Sequence, residues 1–416
     1  MSLNTTPSGE RTHIGIFGRR NAGKSSLINA ITSQNLAIVS DHKGTTTDPV
    51  YKAMELLPLG PVMIIDTPGI DDEGELGRLR IQKAYQVLNK TDIAILVIDA
   101  AAGIAAEDAA LLKHIAAKNV PVVVAFNKSE LDDADRRTVL TAELNKLELP
   151  QNTKVQHFFI STISGESIHQ LKEALAALRP VEEERQLVGD LLQPLDVVVL
   201  VTPIDSAAPK GRLILPQQQV LRNILDNRVI AVVVQEGELA EALAKLQQPP
   251  RLVVTDSQAF AKVAQIVPKD VPLTSFSILF ARYKGSLANS VRGVQALDTI
   301  QDGDKILISE GCTHHRQCND IGTVKLPGWI RNYTKAKPEF HYTSGTEFPL
   351  DLSPYKLIVH CGGCMLNERE IIYRNKCAAD QHIPITNYGI AIAYMHGILQ
   401  RTIAPLPDIA PLLKVK

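Results

Sequence analysis

The sequence contains no stretch of about 18 consecutive apolar residues, the length that a membrane-spanning helix requires. Its N-terminal segment, MSLNTTPSGERTH, lacks the apolar core of a secretory signal peptide. Basic and acidic side chains number 44 and 45, so no overall charge of either sign attracts nucleic acid or an anionic lipid surface. These absences predict a soluble, cytoplasmic protein whose main partner is neither nucleic acid nor a membrane.

Cysteine is absent from the first 311 residues, and all five cysteines follow. In a reducing compartment such clustering favours metal or redox chemistry over disulfide bonds. The length of 416 residues exceeds what a single hydrophobic core usually organises. We therefore expect several domains, with the metal or redox chemistry in the last one.

A glycine-rich loop follows the first apolar segment of the chain. Residues 13–17 are typical of a strand, and they lead into the sequence G-R-R-N-A-G-K-S, which ends at Ser25. A helical pattern begins directly afterwards, and this order of strand, loop and helix is the context of a phosphate-binding P-loop. Gly18 and Gly23 let backbone N–H groups face phosphate oxygens, Lys24 supplies a compact cation, and the serine hydroxyl can bind Mg²⁺. The loop predicts a nucleotide-binding site.

Further segments follow in the order typical of a GTPase. An apolar strand ends in D-T-P-G, where Asp66 can hold the Mg²⁺ shell and the Gly69 amide can contact a γ-phosphate. A later strand leads into N-K-S-E, which resembles the guanine-reading N-K-x-D element but carries Glu130 in place of the aspartate. Ser161 and Thr162 stand where GTPases carry their last base-contacting loop. These motifs favour guanine, although the longer acid leaves the strictness of that preference unsettled.

The sequence G-T-T-T-D between the P-loop and the D-T-P-G strand resembles the switch of the tRNA-modification and ferrous-iron-transport GTPases. The resemblance implies that Thr46 ligates Mg²⁺ and that Asn21 binds K⁺ beside the phosphates. Ile70 stands where Ras-type enzymes place a water-orienting glutamine, and an apolar side chain cannot orient water. We therefore expect slow, K⁺-stimulated hydrolysis of GTP, with Lys24, Thr46 and Gly69 as catalytic residues. The residues predicted to bind nucleotide or its cations are Gly18, Asn21, Ala22, Gly23, Lys24, Ser25, Ser26, Thr46, Asp66, Gly69, Asn127, Lys128, Glu130, Ser161 and Thr162.

A proline and a run of charges near residue 180 indicate a domain boundary. Beyond it strands alternate with helices, which predicts a second parallel α/β unit without a catalytic constellation. Its expected role is to pack against another subunit. The predicted fold class is α/β with three domains: a P-loop GTPase domain over residues 1–180, followed by two smaller parallel-sheet α/β domains over residues 181–275 and 276–416.

Two cysteine motifs each follow a predicted strand in the last domain. C-T-H begins at Cys312, and H-C-G-G-C ends at Cys364. If the two strands are parallel in one sheet, Cys312, Cys361 and Cys364 converge at its carboxyl edge. Three thiolates are one short of a full ligand set, so both a Cys₃His zinc site and an iron–sulfur cluster fit this spacing. The candidate fourth ligands are His314, His315, His360, Cys318 and Cys377.

The combination of a P-loop GTPase with C-x-H, 45 intervening residues and H-C-x-x-C resembles the scaffold GTPases of FeFe-hydrogenase maturation, the HydF family. The runs A-P-K-G-R-L, S-E-G-C-T-H-H-R and P-I-T-N-Y-G are also similar to this family, and the resemblance covers essentially the whole chain. It implies a dimerisation domain in the middle of the chain and a homo-oligomer, expected to be a dimer. It further implies a 4Fe–4S cluster held by Cys312, Cys361 and Cys364, with His314 and His360 as ligands or as hydrogen-bond partners.

The same resemblance implies a function. The protein would hold a di-iron precursor bearing CO and CN⁻ and deliver it to apo FeFe-hydrogenase, with two radical-SAM maturases as upstream partners. The alternative is an RNA- or ribosome-associated GTPase with a C-terminal Cys₃His zinc module, although the balanced charge supplies no basic surface for it. A third hypothesis is a redox enzyme with a nucleotide-regulated cluster.

Overall fold

The computed structural model describes residues 8–32, 49–70, 83–131, 134–150, 153–179, 186–203, 213–311, 321–345, 347–363 and 366–413. The chain forms two compact units, Met1–Glu182 and Glu183–Lys416. The first unit contains one β-sheet and the second contains two. In the described ranges, no helix is long and apolar enough to cross a membrane.

The first unit is built on a six-stranded sheet. The strands are β1 (Thr12–Phe17), β2 (Val50–Leu56), β3 (Gly60–Asp66), β4 (Ile93–Asp99), β5 (Val122–Asn127) and β6 (Val155–Phe159). Their order is β2-β3-β1-β4-β5-β6, and only β2 is antiparallel to its neighbour. Strands β1 and β5 are buried along their whole length, as expected for a parallel sheet covered on both faces.

Helices cover the two faces of this sheet. The helices are Lys24–Thr32, Ala106–Ala117, Ala134–Asn145 and Ile168–Ala177, and residues 83–88 are also helical. Leu27 and Leu171 belong to the apolar core on one face, whereas Leu111 and Leu140 belong to the core on the other. Because β1 lies between β3 and β4, the chain leaves β1 at a topological switch point, where open α/β sheets bind their ligands.

The second unit begins with a four-stranded parallel sheet, termed here the middle sheet. Its strands are β7 (Val197–Val201), β8 (Ile230–Val234), β9 (Leu252–Thr255) and β10 (Leu273–Ser275), in the order β10-β9-β7-β8. The accompanying helices are Leu215–Asp226, Leu239–Lys245, Phe260–Ile266 and Phe276–Tyr283. Strand β8 lies at an edge and leaves Ile230 48% and Val233 42% exposed.

The last sheet of the second unit is also four-stranded and parallel. Its strands are β11 (Lys305–Ser309), β12 (Glu339–Thr343), β13 (Leu357–His360) and β14 (Ile385–Asn387), in the order β12-β11-β13-β14. The helices around it are Leu287–Gly293, Leu326–Thr334, Glu368–Asp380, Tyr388–Met395 and Leu399–Ile403. The chain turns to one side after β11 and to the other after β13, so the switch point of this sheet lies between these two strands.

The helix Phe276–Tyr283 packs against both sheets of the second unit. Its residues Leu279 and Phe280 belong to the core of the middle sheet. Ile278 and Ala281, on the opposite side of the same helix, belong to the core of the last sheet. The two sheets therefore pack against opposite sides of one shared helix.

The predicted fold class is confirmed: a P-loop α/β unit precedes two parallel-sheet α/β regions. The sequence pattern does not predict the antiparallel edge strand β2 or the edge strands β10, β12 and β14. The compact units divide at residues 182 and 183, close to the predicted end of the first domain. The boundary predicted at residue 275, inside the second unit, stays a prediction.

Candidate functional site

The nucleotide-binding residues predicted from the sequence lie at the carboxyl edge of the six-stranded sheet. The P-loop follows β1, the D-T-P-G sequence follows β3, the N-K-S-E sequence follows β5, and the loop that begins at Ser161 follows β6. Because these strands run parallel, their carboxyl ends meet at the same edge. Thr46, the predicted Mg²⁺ ligand, lies outside the described residues.

Asn127 joins the base-binding motif to the P-loop. Its side chain is 1% exposed, and Nδ2 donates to the Ala22 carbonyl over 3.0 Å. Gly23 has φ +94°, and a Cβ at this position would lie 2.1 Å from Asn127 Nδ2. Only glycine permits this approach, so the second P-loop glycine serves base binding as well as phosphate binding.

Lys24 begins the helix Lys24–Thr32, whose N-terminal N–H groups favour a bound phosphate. Its Nζ donates to the carbonyls of Gly18 (2.9 Å) and Arg19 (2.7 Å), so the ammonium lies across the P-loop. Asn21, the predicted K⁺ ligand, adopts a left-handed conformation with φ 57°, which asparagine tolerates better than most residues.

Ser25 and Asp66 have the arrangement that a Mg²⁺ site requires. Ser25 Oγ donates to Asp66 Oδ2 over 3.3 Å. Within the described part of the chain, the buried Asp66 Oδ1 has no hydrogen-bond donor. Burial raises the pKa of Asp66, against the opposing effects of the Lys24 charge and the Ser25 hydrogen bond. A divalent cation would satisfy the unpartnered oxygen and favour the charged carboxylate, so these two residues fit Mg²⁺.

Ile70 is 5% exposed and packs in the same core as Phe17 and Leu88. Its side chain therefore belongs to the apolar interior. This placement is compatible with the expectation that residue 70 does not orient the attacking water.

The base side of the site contains charged partners that the sequence motifs do not reveal. Lys128 Nζ contacts Asp99 Oδ2 over 2.5 Å, which fixes the lysine at the end of β4. Ser129 Oγ donates to Glu166 Oε2 over 2.7 Å, and Arg137 contacts the same carboxylate. Glu130 itself is exposed. The Asn-Lys motif and the loop after β6 are thus joined through Glu166.

The loop after β6 is held by its first residue. Ser161 is fully buried, and its Oγ accepts from the N–H groups of Ile163 (3.2 Å) and Ser164 (3.1 Å). Thr162 therefore lies between Ser161 and Ile163, which are joined by one of these hydrogen bonds.

Arg19 ties the P-loop to the helix Ala106–Ala117. Arg19 Nε donates over 2.9 Å to Asp108 Oδ2, and its terminal nitrogen donates over 2.8 Å to the Gly103 carbonyl. Asp108 is fully buried and also accepts from the Ala105 N–H over 3.0 Å. Burial raises the pKa of Asp108, whereas the Ala105 hydrogen bond and the arginine charge oppose that shift. The arginine stands in the P-loop sequence, but its distant partner has no sequence signal.

The predicted meeting of the two cysteine-bearing strands is found in the structure. Strands β11 and β13 are parallel neighbours in which Ser309 pairs with His360. Cys361 follows directly, and its Sγ accepts from the N–H groups of Gly311 (2.9 Å) and Gly363 (3.3 Å). Backbone N–H donors of this kind stabilise a thiolate that ligates an iron–sulfur cluster.

Three of the five predicted metal ligands, Cys312, His314 and Cys364, lie outside the described residues. Accordingly, the part of the chain that is described contains no group of three His, Cys, Asp or Glu side chains suited to a metal. The donor set of the two motifs and the paired N–H groups at Cys361 fit an iron–sulfur cluster.

His360 has both ring nitrogens engaged within the protein. Arg374 lies 3.0 Å from Nε2, and the Cys361 carbonyl lies 2.6 Å from Nδ1. A guanidinium only donates, so Nε2 accepts and Nδ1 carries the proton. Arg374 is fully buried and also contacts Glu370 (2.8 Å) and Ser309 (3.0 Å). In this arrangement His360 connects a buried arginine to the backbone of the cysteine motif.

Three family models match the chain in sequence order. The model of the 50S ribosome-binding GTPase matches residues 13–128. The model of the Hydrogen maturase F dimerization domain matches residues 187–285, and that of the Hydrogen maturase F tetramerization domain matches residues 288–405. The first match falls in the unit with the P-loop, and the other two fall in the unit with the middle and last sheets.

Curated relatives match the GTPase part of the chain. GTPase Der from Clostridium perfringens is 31% identical over 170 residues, which cover 39% of this chain and 38% of the relative. The tRNA modification GTPase MnmE from Synechococcus sp. is 36% identical over 168 residues, covering 40% and 33%. GTPase Era from Synechocystis sp. is 31% identical over 173 residues, covering 41% and 54%. The chain thus spans between a third and about half of the length of these relatives.

Among solved structures, Era from Aquifex aeolicus bound to GDP·AlF4⁻ aligns with a TM-score of 0.37 and 21% identity, covering 56% of this chain and 97% of that chain. This likeness is too low to support a functional inference. The sequence relatives and the P-loop geometry establish a GTPase domain that uses GTP and Mg²⁺.

Proposed function

Because this chain belongs to the hydrogen maturase F family, as its two matched domain models show, we propose that it is a GTP-hydrolysing scaffold for the assembly of FeFe-hydrogenase. It binds a 4Fe–4S cluster through Cys312, Cys361 and Cys364, holds a di-iron precursor and delivers it to the apo-hydrogenase. The observation that carries the proposal is Cys361 Sγ, which accepts two backbone N–H groups at the switch point of the last sheet. Two radical-SAM maturases are the proposed upstream partners.

Three cysteines leave one iron without a protein thiolate, which suits a cluster that exchanges cargo. A cluster closed by four cysteines would instead favour electron transfer or structure. His360 acts as a hydrogen-bond partner of the motif, because Arg374 and the Cys361 carbonyl use both of its nitrogens. His314 and His315 are the remaining histidine candidates for the fourth ligand.

The first unit supplies a slow molecular switch. Lys24 contacts the terminal phosphates, Ser25, Thr46 and Asp66 hold Mg²⁺, and Gly69 contacts the γ-phosphate. Ile70 packs in the core, so no glutamine at this position orients the attacking water. K⁺ bound by Asn21 accelerates hydrolysis instead. The nucleotide state controls partner binding or release and does not drive the cluster chemistry directly.

The protein is proposed to be a homo-oligomer, and a dimer through the middle sheet is its simplest form. The names of the two matched domain models, dimerization and tetramerization, support a homo-oligomer.

The proposal is tested by anaerobic purification with iron and sulfide analysis, absorption spectroscopy and EPR after dithionite reduction. We expect brown protein with about four irons per chain and a reduced-cluster signal. Cys361→Ser should lose the cluster and keep GTP hydrolysis, whereas Lys24→Ala should keep the cluster and lose hydrolysis. The matched control is Cys377→Ser: the spacing makes Cys377 a candidate fourth ligand, but it is a half-buried cysteine of the helix Glu368–Asp380, beside the apolar core of the last sheet.

Two outcomes contradict the proposal. Colourless protein that stays free of iron after reconstitution and carries one zinc would instead support a ribosome-associated GTPase with a Cys₃His zinc module. Loss of both activities in Cys361→Ser would show that the two sites do not work separately. Delivery itself is measured by adding the loaded protein, made together with the two maturases, to apo-hydrogenase and following hydrogen evolution.

A further inference from the structure

A buried lysine contacts the cysteine motif at residues other than the one that Arg374 contacts. Lys284 is 7% exposed and follows the helix Phe276–Tyr283. Its Nζ donates to the carbonyls of Gly363 over 2.5 Å and of Leu366 over 2.6 Å. One side chain thus binds two backbone carbonyl groups, whose residues flank Cys364 in the sequence. Charged donors form hydrogen bonds about twice as strong as neutral ones, so this contact fixes the backbone of the motif.

The hydrogen bond from Lys284 matters most at Gly363, because the backbone of this residue makes two contacts. Its N–H donates to Cys361 Sγ, and its carbonyl accepts from Lys284. Gly363 has φ +61°, and a Cβ there would lie 2.6 Å from Ile371 Cδ1, so the turn relies on glycine. A glycine backbone is intrinsically free to rotate, and the lysine removes that freedom. Without the ammonium, the N–H would lose its fixed direction toward the sulfur.

The lysine also shares a cavity with the cysteine. Lys284, His360 and Cys361 line the same small cavity of about 20 Å³ in the second unit. A positive charge that is largely removed from water acts more strongly on a neighbouring anion than an exposed charge does. A cluster with three thiolate ligands is anionic, and the anionic form gains from a buried ammonium beside it.

The position of Lys284 in the chain adds a mechanical link. The helix that precedes it packs Leu279 and Phe280 in the core of the middle sheet, and Ile278 and Ala281 in the core of the last sheet. A displacement of this helix therefore moves Nζ and the carbonyls that it holds. Lys284 thus joins a helix that packs on the middle sheet to the backbone of the cysteine motif.

We propose that Lys284 is a positioning residue of the cluster site: its ammonium holds the turn at Gly363 so that the backbone N–H points at Cys361 Sγ. This inference rests on the proposed cluster-binding function. It predicts two properties of Lys284→Met, in which the apolar side chain keeps a similar length. The turn becomes mobile without a cluster, and a bound cluster becomes less stable and harder to reduce.

The first measurement needs no cluster. Hydrogen–deuterium exchange of the iron-free full-length protein should show faster exchange in peptides that cover residues 360–371 of Lys284→Met. The matched control is Lys262→Met, because Lys262 is an exposed lysine that pairs with Glu236. Exchange in the variant equal to the wild type would overturn the inference. If Lys284→Met loses its native circular dichroism, Lys284→Gln, which keeps a donor but not the charge, is compared instead.

The second measurement uses the reconstituted, full-length protein. We expect the cluster of Lys284→Met to be lost to an iron chelator about tenfold faster than that of the wild type. Its EPR line shape should change, and its reduction potential should become more negative, while Lys284→Arg restores part of the potential. An unchanged potential, EPR signal and rate of loss in Lys284→Met would contradict the inference. Absence of a cluster from the wild type would instead refute the proposed function, and the exchange experiment would still decide the role of Lys284.

Discussion

Buried charged side chains hold the loops of both sites in place. Asp108 anchors the P-loop through Arg19, and Arg374 and Lys284 contact two different residues of the cysteine motif. Each makes at least two hydrogen bonds, which lowers the cost of burying a charge, although Asp108 Oδ1 has no partner among the described residues. The backbone groups that would contact ligands are therefore positioned by side chains that need not contact the ligands themselves.

Arg19→Gln should destabilise the first unit by about 3 kcal/mol, because it leaves the Asp108 carboxylate buried without its cation. Burial already raises the pKa of Asp108 above its unfolded value, and loss of the arginine raises it further. A carboxyl group whose pKa is raised in the folded state destabilises the fold when it is charged. The loss of stability caused by Arg19→Gln should therefore become smaller as the pH falls toward the folded pKa of Asp108. Calorimetric unfolding of the full chain at pH 7.5 and pH 5 measures the difference.

The control for this prediction is a double-mutant cycle with Asp108→Asn. The amide of Asp108→Asn needs no cation. Arg19→Gln should therefore lower the free energy of unfolding less in the Asp108→Asn background than in the wild type. Equal costs in both backgrounds would show that Arg19 and Asp108 do not interact energetically.

The sequence predicts the residues that belong to motifs and not those that support them. Lys24, Asp66 and Asn127 are recognisable because their spacing from glycines and strands is set by the chemistry of the nucleotide. Lys284 and Arg374 carry no such pattern, since a lysine or an arginine is usually a surface residue. Only the packing of distant segments shows that these two are buried beside the cysteine motif.

The edge of strand β8 is the element best suited to join two copies of the chain. The Ile230 N–H donates to Asp196, and the Val234 carbonyl accepts from Thr202, so residues 230, 232 and 234 direct their backbone groups toward β7. The groups of Ala231 and Val233 therefore face away from the sheet. An apolar strand edge of this kind is a site for strand pairing, and it falls within the matched dimerization domain.

Val233→Pro should yield a monomer, because proline removes an outward N–H while the bonds to β7 remain. Light scattering during size-exclusion chromatography should then report the chain mass of 45.5 kDa, and the wild type twice that value. Val233→Thr, which keeps the N–H and suits a strand, is the matched control. A dimer that survives Val233→Pro would place the interface elsewhere.

At the level of elements, strands that are apolar throughout are predicted well from the sequence. Strand β4, for example, is an unbroken apolar run that ends in an aspartate. Strands β2 and β12 are not predicted, because lysine, glutamate or histidine residues interrupt their few apolar residues and both strands lie at sheet edges. Edge strands are specified by the neighbour that they pair with, and a local sequence pattern does not identify that neighbour.

The whole chain consists of two units, each with its own apolar cores. GDP with Mg²⁺ at about 100 times its dissociation constant should stabilise the first unit by about 2.7 kcal/mol. For a unit of this size, 1 kcal/mol corresponds to about 2–4 °C, so this stabilisation should raise the unfolding temperature by about 5–11 °C. Differential scanning calorimetry should show one transition that moves with nucleotide and one that does not.

Lys24→Ala is the control for this prediction, because loss of the phosphate-contacting ammonium should abolish the shift. Movement of both transitions together would show that the nucleotide stabilises the second unit as well.

The helix shared by the middle and last sheets limits how this chain can be divided or recombined. A fragment that ends after Tyr283 would expose Ile278 and Ala281 to water. A fragment that begins after Tyr283 would lack the helix against which the core of the last sheet packs. The boundary between the two matched models, at residues 285 and 288, falls directly after this helix. A truncation or fusion should therefore keep the middle and last sheets together, and the junction between the two units is the place to cut.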